Sequence, residues 1–163
     1  MFLDIDGYDI IYITKSNYED IWEVYDTNPK YFIATGGKVA EKTGILESID
    51  QTPQGFDASN KHFFGIWQNG QPVAVVDLLL GYPRQDCLWI GLLLVHSDFH
   101  GKGAGSFIVK SIIQASEKAG FKEISLGVME GNGSVVLFWE KMDFIHIRTS
   151  DDILVFSRSV VLE

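Results

Sequence analysis

A glycine-rich turn near the middle of the chain carries the residues best suited to chemistry. The stretch from Val95 to Ser106 reads VHSDFHGKGAGS, and it joins a hydrophobic run to an amphipathic one. Glycine is a poor helix former, so three glycines at a helix start suggest that a ligand approaches the backbone closely. The free N–H groups of a helix N-terminus bind phosphate. The turn therefore predicts a phosphate cradle, with a flexible loop as the alternative. Its residues are Gly101, Lys102, Gly103, Ala104, Gly105 and Ser106.

Two other phosphate-binding motifs fit this turn poorly. A P-loop requires Gly-x-x-x-x-Gly-Lys-Ser/Thr, and that spacing is absent from the sequence. The dinucleotide fingerprint Gly-x-Gly-x-x-Gly matches Gly101 and Gly103 but meets Ser106 at its third glycine. Glu123 lies 20 residues after Gly103, yet it opens the next predicted strand, whereas a ribose-binding acid lies at a strand's end. A nicotinamide-dependent oxidoreductase remains an alternative class.

The elements that must position this turn can be predicted from hydrophobic periodicity. β-Branched and aromatic runs predict strands, and Asn69-Gly70 predicts a hairpin turn between two of them. After the glycine turn, apolar residues recur every three or four positions, which predicts a helix that Gly120 ends. We expect strands over residues 8–14, 62–68, 72–80, 87–95, 123–129, 144–149 and 153–160, and helices over 18–26, 38–50, 107–119 and 135–142. The predicted fold class is α+β, with a mixed central sheet of about seven strands flanked by about four helices.

A second motif lies about 30 residues beyond the glycine turn. The segment from Asn132 to Phe144 reads NGSVVLFWEKMDF. Together with the turn, where Gly103 and Gly105 match the signature Arg/Gln-x-x-Gly-x-Gly/Ala, it resembles the GNAT superfamily of N-acetyltransferases. That family commonly shows Asn-x-x-Ala-x-x-Leu/Phe-Tyr-Glu-Lys-x-Gly-Phe at the same spacing. The resemblance includes the order of strands and helices and spans most of the chain, from Tyr8 to the C-terminal strands.

The resemblance implies transfer of an acetyl group from acetyl-CoA to an amine by direct attack in a ternary complex. In this family the fourth and fifth strands splay apart, so that Leu93, Leu94 and Val95 would hold the pantetheine arm by main-chain hydrogen bonds. N–H groups near Leu94 and Val95 would polarise the thioester carbonyl. Gly91 is expected to let this strand bulge or bend.

The resemblance also implies further contacts to the cofactor. The amides of residues 101–106 would take the pyrophosphate. Asn132 would donate a hydrogen bond, with helix capping as its structural alternative. Phe138 and Trp139 would pack on the pantetheine, or else in the core.

Three positions depart from the family pattern. His100 stands at the Arg/Gln position, Gly127 where many relatives have a glutamate base, and Trp139 where a tyrosine often protonates the thiolate. Asp77 is the predicted substitute base, because it interrupts the apolar run VAVVDLLL and burial there should raise its pKa. The alternative is a buried aspartate satisfied by the backbone or by Tyr82. Indole is no practical acid, so a non-catalytic acyl-CoA-binding or sensor protein is the main rival.

Composition limits the remaining classes. The 163 residues include 22 acidic and 13 basic side chains, a net charge of −9, which argues against a nucleic-acid-binding surface. The apolar run Cys87–Val95 is too short to span a bilayer, the N-terminal segment lacks the basic residues of a secretory signal, and a single cysteine excludes an internal disulfide. We expect one cytoplasmic acetyltransferase domain over residues 1–163, without a metal, whose partners are acetyl-CoA and an amine. The sequence leaves open the identity of that amine and the choice between monomer and homodimer.

Overall fold

A seven-stranded mixed sheet forms the centre of the computed structural model, which describes residues 1–160. Its strands follow the order β1-β2-β3-β4-β5-β7-β6, and every pair of neighbours is antiparallel except β4 and β5. The strands are β1 Asp9–Tyr12, β2 Lys61–Gln68, β3 Gln71–Leu80, β4 Cys87–Val95, β5 Glu123–Met129, β6 Ile145–Ser150 and β7 Ile153–Ser159. The predicted α+β class with a mixed sheet is confirmed, and each predicted strand is found within a few residues of its expected bounds.

The hairpin between β2 and β3 shows why the local sequence determines this part of the sheet. Asn69 and Gly70 both have positive φ, 51° and 78°. Turns of this kind suit the twist of antiparallel strands, and asparagine and glycine tolerate the left-handed conformation that such a turn requires. The predicted hairpin is therefore confirmed.

Within residues 1–160, five α-helices flank the sheet, one more than the sequence predicts. They are α1 Trp22–Asp26, α2 Pro29–Gly36, α3 Lys42–Asp50, α4 Ala104–Lys118 and α5 Gly133–Lys141. The unpredicted helix is α2, which begins with Pro29 and ends at the left-handed Gly37, as helix termini favour. It contains no fully buried residue, so the periodic apolar stripe that would reveal it is missing. Within residues 1–160, no helix combines the length and apolar character needed to cross a membrane.

The helices form two layers, one on each face of the sheet. Successive side chains of a strand point to opposite faces, so Val76 packs with α4 and α5 while Val75 packs with α1 and α3. Asp77 has the same parity as Val75 and therefore lies on the α1–α3 face. The α4–α5 layer includes Leu88, Ile108, Ile112, Ile124 and Trp139, and the α1–α3 layer includes Ile21, Tyr25, Ile45 and Leu94.

β4 contains a bulge at Gly91. Asp77 lies opposite Leu92, and the next residue of β3, Leu78, lies opposite Ile90. Gly91 is therefore the extra residue that β3 does not match, and a bulge of this kind bends the strand and increases its twist. The predicted bulge or bend at Gly91 is confirmed.

Candidate active site

The strands β4 and β5 separate beyond the bulge. They pair over four residues only, Cys87–Ile90 with Glu123–Leu126, and their later residues pair with their outer neighbours, β3 and β7. On both strands the last paired residue is followed by an exposed glycine, Gly91 and Gly127. The result, within the described part of the chain, is a wedge-shaped opening in the sheet, which we call the wedge.

Alternate backbone groups of β4 point into the wedge. The N–H of His96 donates to the carbonyl of Val73 at 2.8 Å. Because direction alternates along an antiparallel ladder, the N–H of Leu94 also points toward β3, whereas those of Leu93 and Val95 point toward the wedge. A main-chain contact to a ligand in the wedge therefore comes from Leu93 and Val95, while Leu94 pairs with β3.

The carboxyl end of β4 is tied to α1 and to the glycine turn. The carbonyl of Val95 accepts hydrogen bonds from Asn28 Nδ2 at 2.8 Å and from His100 Nε2 at 2.7 Å. The hydroxyl of Thr27 accepts one from the N–H of Ser97 at 3.2 Å. His100, which departs from the family pattern, thus holds the turn against the strand.

The glycine turn leaves its N–H groups free. Gly101 and Gly103 have positive φ, 69° and 82°, and α4 begins directly after Gly103. Within residues 1–160, no protein group accepts a hydrogen bond from the N–H groups of residues 101–106, and the first bonded N–H of α4 is that of Phe107, to Gly103 O at 3.0 Å. A β carbon on either glycine would meet no atom within 4 Å. Free donors at a helix N-terminus, facing open space, fit a diphosphate.

The second motif packs beside this turn. A β carbon on Gly105 would lie 3.3 Å from Cε1 of Phe138, so glycine lets α4 approach α5 closely there. Asn132 occupies the N-cap position of α5, but its side chain makes no capping hydrogen bond, so the capping alternative is wrong. Trp139 is 6% exposed, and its ring centroid lies 4.9 Å from that of Phe138 and 5.1 Å from that of Phe144. Its indole thus belongs to the core behind Phe138.

Asp77 lies beside the wedge, at the bulge. Its Oδ2 is 3.2 Å from the position that a β carbon would take on Gly91, and it accepts a hydrogen bond from Lys61 Nζ at 3.0 Å. Burial raises the pKa of Asp77, and the ammonium group of Lys61 opposes part of that rise. The predicted direction of the pKa shift is confirmed. The alternative that the backbone or Tyr82 satisfies this carboxylate is wrong, because its partner is Lys61.

Two buried oxygens near this ion pair lack partners. Asp77 Oδ1 and Tyr25 Oη accept or donate no hydrogen bond within the part of the chain that the structure describes. Burial raises the pKa of Tyr25 and the negative charge of Asp77 adds to the rise, so the phenol stays neutral and lies within electrostatic reach of the carboxylate. Tyr25 also lines a cavity of about 290 Å³ between α2 and α3.

A side chain at position 127, where the family pattern places a glutamate, would crowd its neighbours. A β carbon would lie 2.8 Å from Cγ2 of Ile153 and 3.5 Å from Cζ2 of Trp89. Trp89 in turn packs edge-on against Tyr82, and Tyr82 against Phe56, with ring centroids 5.6 and 6.1 Å apart. Trp89, the first ring of this aromatic row, therefore lies beside Gly127 on the α1–α3 face.

Sequence reasoning missed Lys61 and Tyr25 as site residues. The hairpin alone does not predict Lys61: regular pairing outward from Gln68 and Gln71 would place His62 opposite Asp77. In the structure a register shift between Ile66 and Trp67, which no local pattern shows, places Phe63 opposite Asp77 and makes Lys61 its diagonal neighbour on the same face. Nothing in the local sequence indicates that Tyr25 lies within electrostatic reach of Asp77, because their proximity depends on how α1 docks.

This chain belongs to the acetyltransferase (GNAT) family, whose sequence profile matches residues 14–144. No curated protein sequence matches it. Among solved structures, an acetyltransferase from Thermus thermophilus is similar with a TM-score of 0.78 and 20% identity, over 94% of this chain and 97% of that one.

Two further structures are similar over most of their length. The PaiA N-acetyltransferase from Thermoplasma acidophilum, solved in complex with coenzyme A, has a TM-score of 0.69 and 17% identity over 93% of this chain and 98% of that one. The ribosomal-protein-S18-alanine N-acetyltransferase from Escherichia coli has a TM-score of 0.68 and 14% identity over 96% of both chains. Identities this low show the fold alone. The predicted family and fold are both confirmed.

Proposed function

We propose that this protein is an acetyl-CoA-dependent N-acetyltransferase that acts on a primary amine of a small molecule or peptide. One observation carries the proposal: beyond Ile90 the edge of β4 is not paired with β5, the N–H groups of Leu93 and Val95 face the wedge, and the strand then leads to the free N–H groups of residues 101–106. An extended arm that binds beside a strand edge and a diphosphate that binds at a helix start are both parts of coenzyme A. The relative from Thermoplasma acidophilum was solved with that molecule.

The cosubstrate supplies the acetyl group as a thioester, and this chain supplies the means to hold it. Main-chain groups of Leu93 and Val95 would bind the pantetheine arm, and Leu94 keeps the strand in register through β3. The amides of residues 101–106 and the ammonium group of Lys102 would bind the pyrophosphate. Asn132 and Phe138 flank the turn, with Trp139 supporting Phe138 from the core.

The amine must lose a proton before it can attack. An alkylamine with a pKa near 10.4 is mostly protonated at neutral pH, so a base has to take that proton. Asp77 is the proposed base, because its carboxylate lies at the bulge and burial raises its pKa toward the working range. Main-chain N–H groups that face the wedge would stabilise negative charge on the acyl oxygen. A thiol with a pKa near 8.5 leaves without an acid, so the tryptophan at position 139 is compatible with turnover.

We place the reaction in the cytoplasm and in a single domain over residues 1–163. The rival function, acyl-CoA binding without catalysis, shares the cradle and differs in turnover. A thiol-release assay against a broad panel of amines separates the two, since the rival predicts CoA binding with no acceleration by any amine.

Calorimetric titration with CoA tests the cradle. Gly103→Glu should weaken binding by about a hundredfold or more, roughly 3 kcal/mol, because a carboxylate enters the open space before α4. Gly103→Asn is the matched control, since asparagine tolerates the left-handed conformation and adds no charge; its affinity should stay within about tenfold of wild type. Thermal unfolding checks that both variants are folded. Unchanged affinity in Gly103→Glu, or no binding of millimolar CoA by the wild type, contradicts the proposal.

A further inference from the structure

We propose that Lys61 is a positioning residue for Asp77: its ammonium group holds the carboxylate ionised, with Oδ2 at the Gly91 bulge where β4 leaves β5. This inference rests on the proposed function, because it assigns a task within the same site. Neither the family pattern nor the resemblance includes a lysine at this position.

Lys61 is a buried cation whose ammonium group is held by two hydrogen-bond acceptors. Its side chain is 6% exposed, and that of Asp77 is 16% exposed. Nζ donates to Asp77 Oδ2 at 3.0 Å and to the carbonyl of Gln51 at 2.7 Å. One acceptor belongs to β3 and the other follows α3, so the ammonium group is fixed from two elements. A lysine held in this way fixes the carboxylate it contacts.

The energetic cost of this pair argues for a functional reason to keep it. Desolvating two charges costs several kcal/mol per ion, and apolar residues of similar volume often stabilise a fold as well or better. The surrounding α1–α3 layer is apolar, with Phe63, Val75 and Tyr25 in the same cluster. A buried ion pair inside that layer is therefore not explained by stability alone. Its position at the bulge points instead to a role in function.

Two titratable groups face Asp77: Lys61 from β2 and Tyr25 from α1. Of these two, Lys61 is the one that favours the ionised form of Asp77. Tyr25 stays neutral, since burial and the Asp77 charge both raise its pKa. Burial alone favours the protonated, inactive carboxyl group, and Lys61 opposes it. Loss of Lys61 would thus leave a carboxyl group that ionises only at higher pH.

The first test is the pH dependence of kcat/KM in Lys61→Met, with an amine that the wild type acetylates. The acid limb should move up by about one pH unit or more, with the rate at pH 7 reduced about tenfold or more and recovery at higher pH. Lys61→Arg keeps the charge and should return the limb toward its wild-type position. Lys42→Met, which removes a lysine from an exposed pair with Glu19, is the matched control and should leave the profile unchanged.

A double-mutant cycle separates positioning from mere structural support. If Lys61 acts through Asp77, Lys61→Met should cause no further loss of kcat/KM in an Asp77→Asn background. A loss of equal size in both backgrounds overturns the proposal. So does a uniform, pH-independent loss in Lys61→Met with the acid limb in place.

A third measurement needs no turnover and therefore separates this inference from the proposed function. Carbon-13 NMR of labelled aspartate follows the titration of Asp77 in the wild type and in Lys61→Met, with Asp77→Asn to assign the signal. A higher midpoint in Lys61→Met supports control of the carboxylate by Lys61, even if no amine is acetylated and the proposed function fails. An unmoved midpoint overturns the inference, even if acetyl transfer is demonstrated.

Discussion

The side chain of Asp77 is buried in the α1–α3 layer, yet it keeps a charged partner and lies where the sheet opens. Burial raises its pKa, and Lys61 limits that rise. A general base is most useful when its pKa lies near the working pH, so two opposed effects on one carboxyl group suit it to proton transfer. The proposed role depends on the burial of this aspartate, since an aspartate on the surface would have an ordinary pKa.

Asp77→Asn keeps the shape of the side chain and removes its ability to accept a proton. We expect kcat/KM to fall by about 10²–10⁴-fold. The break in the pH profile that belongs to the base should disappear, because asparagine does not titrate, and the residual activity should rise only with the fraction of free amine. Steady-state kinetics across the neutral range measure this. CoA affinity, measured by calorimetry, should stay unchanged, and a break at the wild-type position that persists in this variant rules Asp77 out as the base.

Residue-level features could be predicted only where they are local. The glycine turn could be predicted because glycine is a poor helix former, so three glycines beside a helix start are conspicuous. The raised pKa of Asp77 follows from the apolar residues on both sides of it in the sequence. The partner of Asp77 was mispredicted because Lys61 lies 16 residues away, and their contact depends on strand register. The closure of Gly127 by Ile153 and Trp89 is equally non-local.

At the scale of elements, the strands were predictable and one helix was not. Each strand has its own apolar run, and turns with recognisable residues separate them, so their sequence order follows directly. The spatial order also follows in part, since Asn69-Gly70 determines one hairpin. The helix α2 lacks a buried stripe. Hydrophobic periodicity, the main signal for helices, therefore does not indicate a helix there.

Gly127→Glu restores the side chain that the family pattern places on β5, and we expect it to destabilise the sheet. The new β carbon would lie 2.8 Å from Cγ2 of Ile153, and overpacking of this kind costs about 1–3 kcal/mol. Urea denaturation measures the free energy of unfolding. Ile153→Ala alone is the control, and the double variant should lose less than the sum of the two single losses. A Gly127→Glu variant as stable as the wild type would show that Ile153 on β7 can move aside at no cost in stability.

At the scale of the whole molecule, Glu123 links three parts of the chain at the closed end of the wedge. Its carboxylate accepts hydrogen bonds from Arg84 Nη2 in the β3–β4 loop at 2.7 Å, from Ser125 on β5 at 3.3 Å, and from Ser157 on β7. Burial alone would raise the pKa of Glu123, but the hydrogen bonds from Ser157 and Arg84 outweigh it and lower the pKa. A carboxylate stabilised in this way stabilises the fold above its unfolded pKa, and that contribution is lost as pH falls through its folded pKa.

Glu123→Gln should therefore destabilise the protein in a pH-dependent way. We expect a loss of about 1–2 kcal/mol at neutral pH, typical of hydrogen bonds to a charged group. The difference from wild type should shrink below about pH 4, where the wild-type carboxylate also becomes protonated. Urea denaturation at pH 7, 5 and 3 measures this difference. Glu140→Gln on the exposed face of α5 is the control, and a loss at Glu123 that stays constant with pH contradicts the ionic account.

In the proposed complex the wedge binds its ligand through peptide groups, and every amino acid except proline offers the same pair of them. Substitutions along Gly91–Val95 that preserve the backbone would therefore change the surroundings and leave those hydrogen bonds in place. Histidine at position 100, glycine at 127 and tryptophan at 139 depart from the usual pattern in a chain that keeps the family fold. Recognition through the main chain would tolerate such departures.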